Sequence, residues 1–543
     1  MKKEKKRSLS KASFRASKRK AFSFDDKMTS PRFERATIIR RLLLIVMSAV
    51  NIDWKLLRRF YESMLLLKLL DPVRDQRVDR SIDPEHGALS STEIRRVFVN
   101  KLAYLCDFKK GKNTSTAIAL QNSSQSVIIH CAANDHVKPR VKDFIRETLK
   151  LLITVDDTNH AKVEALIFKK VISLSRNRLR TYWKRANEMI RKCSKHLQCK
   201  TSSSSFTEMI AEESIDLSTA LKLCSWLNEL QRTVESMSSL MRKCYQARNS
   251  RLLRALDRLF AEGKPHCRAF QDLRHYIEWL EAHRMTTKTL MTTVVEISEF
   301  LEGFSIQVKP FSSHAYCNLL SENTIASDIM NRMCSKNGAA SYRNVLKLMN
   351  FSYELNLNVT LEKNCAFETR VHAELLLLDL FIRKKHEFTS EDRYIECSKP
   401  ACYFCSQYFR AQITSFTLPT CHNKLYLRWR SSDIFDELDL ETIQRRNDTM
   451  NNMNVRIREE IKEQLDKRTL TRHRQFDSII DRSIVFDIEM FQNHSNDEHF
   501  DFNLSTRESF VKNLKNASEQ RWESSKESLE KSYNDSDEGV FII

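Results

Sequence analysis

Apolar residues recur at three- and four-residue spacing from Ile38 to about Phe300, the period of helices that bury one face. Val163, Leu166, Ile167 and Val171 form one such stripe, and Leu252, Leu253, Leu256 and Leu259 another. Gly111 to Ser126 and Ser202 to Ser205 interrupt the pattern and read as loops; Phe206, Met209 and Ile210 restart it. No fixed period links the stripes, so a regular solenoid is not expected. Further along, Phe351, Tyr353, Leu355, Leu357 and Val359 alternate with polar residues and predict a strand. The run Leu375, Leu376, Leu377, Leu378, Leu380 and Phe381 predicts a buried helix over Val371 to Lys384. His386 to Asp392 is a polar loop, Arg393 to Cys397 alternates as a short strand, Ser398-Lys399-Pro400 makes a turn, and a second helix starts near Ala401. Leu425 to Trp429 alternates again. These elements predict an α/β domain from about Asn337 to Phe435, followed by a charged helix over Glu437 to Arg474.

Composition sharpens this picture. Only six glycines and eight prolines occur in 543 residues, so tight turns are few and long helices dominate. The net charge of +20 is unevenly placed: the first 41 residues hold 15 Lys and Arg against four Asp and Glu. That serine-rich arm reads as a solvated tail, a nuclear localisation signal (Lys2 to Arg7, Lys18 to Lys20) or a contact to nucleic-acid phosphates. From Asp497 onward 11 acids stand against six bases, a polar tail ending in Phe541-Ile542-Ile543. The longest apolar stretch, Leu42 to Val50, is about half of a bilayer span. No membrane association is therefore expected, and the scattered cysteines suit the cytoplasm or nucleus. Arg176 to Arg191, with Tyr182 and Trp183, offers basic residues beside aromatic surfaces for a phosphate backbone, or solvated helix faces around a core tryptophan. Trp226, Tyr276 and Trp279 read as core.

The chemistry concentrates in two short motifs. Val371-His372-Ala373-Glu374 opens the first helix of the α/β region, and Cys402-Tyr403-Phe404-Cys405 opens the second. Cysteines three apart lie on one helical face. A helix N-terminus favours their thiolates, the form that binds zinc. His372, Cys402 and Cys405 would supply three ligands of a tetrahedral zinc and leave the fourth position for water. Glu374, two residues from His372, would act on that water as proton shuttle.

Residues 351 to 435 resemble the zinc-dependent nucleoside and nucleic-acid deaminase superfamily. They are most similar to a fungal branch of deaminase-like proteins that carry a helical N-terminal region. The likeness rests on the His-Ala-Glu block, on Tyr394 to Cys405, and on Cys421-His422-Asn423-Lys424-Leu425-Tyr426 with Trp429. It implies His372, Cys402 and Cys405 as zinc ligands and Glu374 as the catalytic residue. Deaminases place proline directly before the first cysteine, whereas here Ala401 stands between Pro400 and Cys402. Two other uses of the cysteines stay open: a closed structural zinc site of Cys397, Cys402 and Cys405 with Cys421 or His422, and a redox CxxC pair.

The expected organisation is a basic arm (1–36), a helical region (37–335), a zinc deaminase-like domain (336–440), a charged helix (441–480) and a polar acidic tail (481–543). The expected fold is a mostly α N-terminal region plus a three-layer α/β/α cytidine-deaminase-like domain. The expected function is zinc-dependent hydrolytic deamination of a nucleobase in nucleic acid or nucleotide. The alternative is a non-catalytic interaction or nucleic-acid-binding protein with a structural zinc site, the helical region binding a protein partner.

Overall fold

The computed structural model describes residues 54–74 and 90–468, apart from short internal stretches of which 203–214 is the longest. The basic arm, the Leu42 to Val50 stretch, the Phe206 to Ile210 restart and the acidic tail lie outside the described residues. The elements run α1 (Trp54–Leu70), α2 (Ser91–Cys106), β1 (Thr116–Asn122), β2 (Val127–Ala133), α3 (Pro139–Leu152), α4 (His160–Ser202), α5 (Leu217–Arg232), α6 (Met237–Ala247), α7 (Arg251–Ala261), α8 (Arg268–Val295), α9 (Ser298–Leu301), β3 (Ser305–Val308) and β4 (Ala315–Asn318). They continue with α10 (Ala326–Met333), α11 (Lys336–Ser352), α12 (Leu357–Lys363), β5 (Ala366–Thr369), α13 (Ala373–Lys384), β6 (Ile395–Cys397), α14 (Tyr403–Arg410) and α15 (Leu440–Lys467). The chain is mostly helical, and no helix among the described residues is long and apolar enough to cross a membrane.

A mixed four-stranded sheet, ordered β3-β2-β1-β6, lies between the helices. β1 pairs antiparallel with β2 (Thr116 opposite Ala133) and with β6 (Ala117 opposite Cys397); β2 pairs parallel with β3. Strand alternation sends β1 side chains to two different cores. Ala117 and Ala119, with Ala132 of β2, face α13 and belong to a core that also holds α1, α14 and α15. Ile118 and Leu120, with Ile129 and Cys131 of β2, face α2, α3 and parts of α4 and α8. Helices therefore cover both faces. A third core joins the rest of α4 to α5, α6, α7 and the first half of α8. A separate two-stranded sheet pairs β4 with β5 and leads the chain into residue 372.

Several expectations are corrected here. Gly111 to Ser126 is not a loop throughout, because β1 occupies Thr116–Asn122 at the centre of the sheet. Phe351 to Val359 is not a strand. It is the end of α11, a break at Glu354 and Asn356 with left-handed φ of 49° and 48°, and the start of α12. Leu425 to Trp429 forms no strand; isolated pairings join Lys424 to Val73 and Trp429 to Arg370. In the basic segment, Tyr182 and Trp183 are buried, and Tyr182 packs 4.6 Å from Trp279, so this aromatic pair offers no stacking surface. Trp279 is buried, with Trp226 and Tyr276 partly buried against the same core.

The sheet joins residues 116–133 to residues 395–397, across position 335/336 where the sequence suggested a boundary. A fragment of residues 336–467 would lack β1, the strand that β6 pairs with, and the alanine face beneath α13. That fragment is expected to show no cooperative thermal transition. A sharp transition would establish that it folds alone.

Candidate metal centre

Two helices begin at the centre of the first core, and each begins at a candidate ligand. His372 is the N-terminal flanking residue of α13, and Cys402 that of α14. The sequence placed both starts within two residues, since each motif sits where an apolar run begins. An exposed helix start would be capped by its own flanking side chain, but the imidazole of His372 makes no such bond. Asn134, just after β2, does it instead: its Oδ1 accepts the Ala373 N–H at 2.8 Å. This leaves Nδ1 of His372 facing sulfur. Cys402 caps α14 itself, its Sγ accepting the Cys405 N–H at 3.5 Å.

The three expected ligands come together. Nδ1 of His372 lies 3.6 Å from Sγ of Cys402 and 3.3 Å from Sγ of Cys405, close to the roughly 3.6 Å edge of a zinc tetrahedron with ordinary Zn–N and Zn–S bonds. All three residues are buried, and their ligand atoms lie within 4.8 Å of one another. Glu374 is buried beside them, its carboxylate 3.9 Å from the same imidazole nitrogen and within hydrogen-bond reach of Cys405. Among the described residues no other group of three or more His, Cys, Asp or Glu converges in this way.

Charge in this pocket is coupled. Burial drives the His372 imidazolium down, but the Cys402 sulfur and the Glu374 carboxylate outweigh it and hold the group above its ordinary value. Burial raises the Cys402 thiol, yet a hydrogen bond from Cys405 and the charge of His372 keep it below a normal thiol. Cys405 is pushed up by burial and by its neighbour Cys402. One sulfur is thus ready as thiolate, and a metal would displace the remaining protons. The donor set of one nitrogen and two sulfurs suits zinc.

The other cysteines do not join. Sγ of Cys421 donates to Asn423 Oδ1 at 3.1 Å, and Nδ1 of His422 accepts the Lys424 N–H at 3.1 Å. Cys397 sits on β6 outside the group. Aromatic residues wall the pocket: Trp429 donates its Nε1–H to Cys405 Sγ at 3.2 Å, and Phe404 and Phe60 pack on that indole. Tyr426 meets the His372 ring edge-on at 6.2 Å.

Sequence reading missed what fixes the turn before Cys402. Lys399 Nζ lies 3.0 Å from the fully buried Asp107 carboxylate at the end of α2, and Arg178 of α4 shares that carboxylate at 3.6 Å. Lys399 also donates to Ser115 Oγ at 3.1 Å and to the Gly111 carbonyl. Burial works against the Asp107 charge, but Lys399 and Arg178 prevail and hold the carboxyl below its usual range. Ser398 Oγ accepts the Thr116 N–H at 3.0 Å. Nothing local in the sequence signals these pairs, because their members lie far apart along the chain.

Paired helix starts thus bring histidine, glutamate and a CxxC to one buried point over a small sheet, a group that could hold a metal such as zinc. Residues 371–433 match the model of a family described as OTT_1508-like deaminase, which supports the deaminase superfamily for this segment of the chain. No curated protein and no solved structure matches the chain.

A single zinc per chain is expected, lost on His372→Ala, Cys402→Ser or Cys405→Ser and retained on Cys397→Ser or Cys421→Ser, as read by metal analysis of purified protein. Lys399→Met should cost about 3–5 kcal/mol in denaturant unfolding, because it leaves a buried carboxylate short of a cation. Adding Asp107→Asn to Lys399→Met should recover part of that loss.

Proposed function

We propose that this chain is a zinc-dependent hydrolytic deaminase acting on an amino-bearing nucleobase, in nucleic acid or nucleotide. The observation that carries this reading is Glu374 buried in the same pocket as the three ligand atoms. A purely structural zinc needs ligands and no adjacent carboxylate. His372, Cys402 and Cys405 would hold the ion and leave its fourth position open to the pocket. Bound zinc supplies a water made acidic enough to ionise near neutral pH.

The protein's own groups do the rest. Glu374 takes one proton of the attacking water at its carboxylate and gives it to the ring nitrogen; it then takes the second, from the hydroxyl formed on the reacting carbon, and gives that one to the departing amine. The base gains a carbonyl oxygen from water and releases ammonia, so the reaction consumes one water and needs no other reactant. The Trp429 N–H holds Cys405, and the aromatic wall keeps bulk water from the reacting carbon. In this reading the helix-covered sheet is the three-layer α/β/α deaminase arrangement, completed by β1 and β2 from the helical region. The family match supports deamination as the chemistry, while the chain's +20 charge slightly favours a phosphate-bearing nucleic acid over a free nucleoside as substrate.

Glu374→Gln should keep its zinc and lose roughly 10²–10⁴-fold in ammonia release from cytosine- or adenine-bearing substrates. Wild-type protein that holds zinc and releases no ammonia from any of them would favour the alternative, a non-catalytic interaction protein with a structural ion.

A further inference from the structure

The segment between α2 and β1 touches the approach to both ligand motifs. Lys399, three residues before Cys402, donates to the Gly111 carbonyl and pairs with Asp107 at 3.0 Å. Arg370, two residues before His372, donates to Asn113 Oδ1 at 2.7 Å. The Asn113 carbonyl accepts the Asp135 N–H at 2.9 Å, next to the Asn134 that holds the first N–H of α13. Gly111 takes a φ of 129°, which residues with a Cβ rarely adopt, so the turn that presents its carbonyl to Lys399 depends on glycine.

Lys110 pins this segment to the helical region. Its ammonium stands 5.4 Å from the ring centroid of Trp279, 5.6 Å from that of Tyr276 and 5.9 Å from that of Tyr182. Rings from two helices, α4 and α8, thus surround one cation, each within reach of a cation–π attraction. Tyr182 and Trp279 are buried whereas Lys110 is an exposed residue, so a surface side chain turns its charged end onto an interior cluster. Among the described residues no carboxylate pairs with Lys110. Burial and the charge of Arg185 work against its ammonium and hold it below the ordinary lysine value. The rings are what the ammonium gains there. Tyr182 carries the link further inward, because its hydroxyl accepts from Arg178, the second cation on Asp107.

We propose that Lys110 is a latch: with its ammonium among Tyr182, Tyr276 and Trp279, the helical region holds the two ligand motifs at metal-binding distance. The inference rests on His372, Cys402 and Cys405 being the zinc ligands, and it gives α4 and α8 a part in retaining the ion. His372 and Cys402 lie 30 residues apart on different helices, so what braces each approach sets their spacing. Asp107, Gly111 and Asn113 brace both approaches from one segment, and Lys110 carries that segment's contact to α8. Lys110 touches no ligand; it is a positioning residue that acts through Lys399 and Arg370.

The test is the rate of zinc release from the zinc-loaded full chain into excess chromophoric chelator. Lys110→Gln should release zinc roughly 3- to 30-fold faster than wild type, the span of a partly desolvated cation–π contact. Lys110→Arg, which keeps a cation over the rings, should restore the wild-type rate. Tyr276→Leu should speed release alone and add little to Lys110→Gln, since both break the same contact. Lys288→Gln removes an ammonium from the Tyr245 ring elsewhere on α8 and should leave the rate unchanged. The latch is overturned if Lys110→Gln releases zinc at the wild-type rate, if Lys110→Arg is as fast as Lys110→Gln, or if Lys288→Gln speeds release equally. Alkylation of Cys402 and Cys405 in metal-free protein, located by mass spectrometry, should follow the same order and separates the two readings. A chain that binds no zinc while Lys110→Gln still speeds labelling ends the metal reading and leaves the latch. A chain that holds zinc, with one release rate and one labelling rate in all variants, keeps the metal centre and removes the latch.

Discussion

Two helix starts have to meet at one buried point, and much of the structure follows from that constraint. The first turn of a helix presents N–H groups with no partner inside it, and burying them bare is costly. His372 cannot cap α13 while its Nδ1 faces two sulfurs, so Asn134 is brought from the end of β2 to do so. Cys402 caps its own helix with the sulfur that also faces His372. The sheet sets the distance between these devices. β1 pairs with β2 on one side and β6 on the other, so the start of β1 lies beside both the end of β2 and the turn that follows β6. Asn134 N–H bonds the Ser115 carbonyl, and Thr116 N–H bonds Ser398 Oγ. β1 is thus the spacer between the two halves of the centre.

That spacer was the element the sequence hid. Ala117 and Ala119 face α13, and their small side chains let the helix approach the sheet closely; alternation of alanine with isoleucine and leucine gives a weak period-two signal. The opposite failure occurred at Phe351 to Val359, where alternation was strong and meaningless. Phe351 is 76% exposed and Val359 48% exposed, so the pattern never tracked burial. The metal motifs were legible for a local reason. Each ligand sits at a helix start, and a helix start is written in a handful of consecutive residues. Asn134, Asp107 and Arg178 act on those motifs from more than 200 residues away along the chain, and only the fold brings them there.

The helical region is therefore tied to the centre by charge as well as by packing. Asp107 is fully buried, a placement a carboxylate tolerates only with close cations and hydrogen-bond donors. Arg178 arrives from α4, Lys399 from the turn before Cys402, and Thr114 Oγ1 donates at 2.6 Å. The same guanidinium reaches the Asp107 carbonyl, and its Nε bonds Tyr182 at 2.6 Å. Tyr182 in turn packs on Trp279 of α8. A displacement of α4 would carry Arg178 away from Asp107, and that carboxylate would pull differently on Lys399. The coupling is electrostatic between buried groups, where screening by solvent is least.

The cysteine-rich surroundings sharpen the case for an open centre. Cys397 and Cys421 are both buried near the ligands, and a closed four-ligand site would have recruited one of them. Neither is prepared for it. Burial and the Glu374 and Glu396 carboxylates push the Cys397 thiol far up, and its place on β6 leaves it outside the group of ligand atoms. Cys421 spends its sulfur on Asn423, donating to the side-chain oxygen and accepting the N–H at 3.4 Å. What stands beside the three ligand atoms instead is Glu374, an oxygen acid placed among thiols. The carboxylate pushes both neighbouring thiols up, although Cys405 and His372 still hold Cys402 below an ordinary thiol. Its placement fits the proposed deaminase chemistry, which needs a carboxylate beside the ligand group to carry protons.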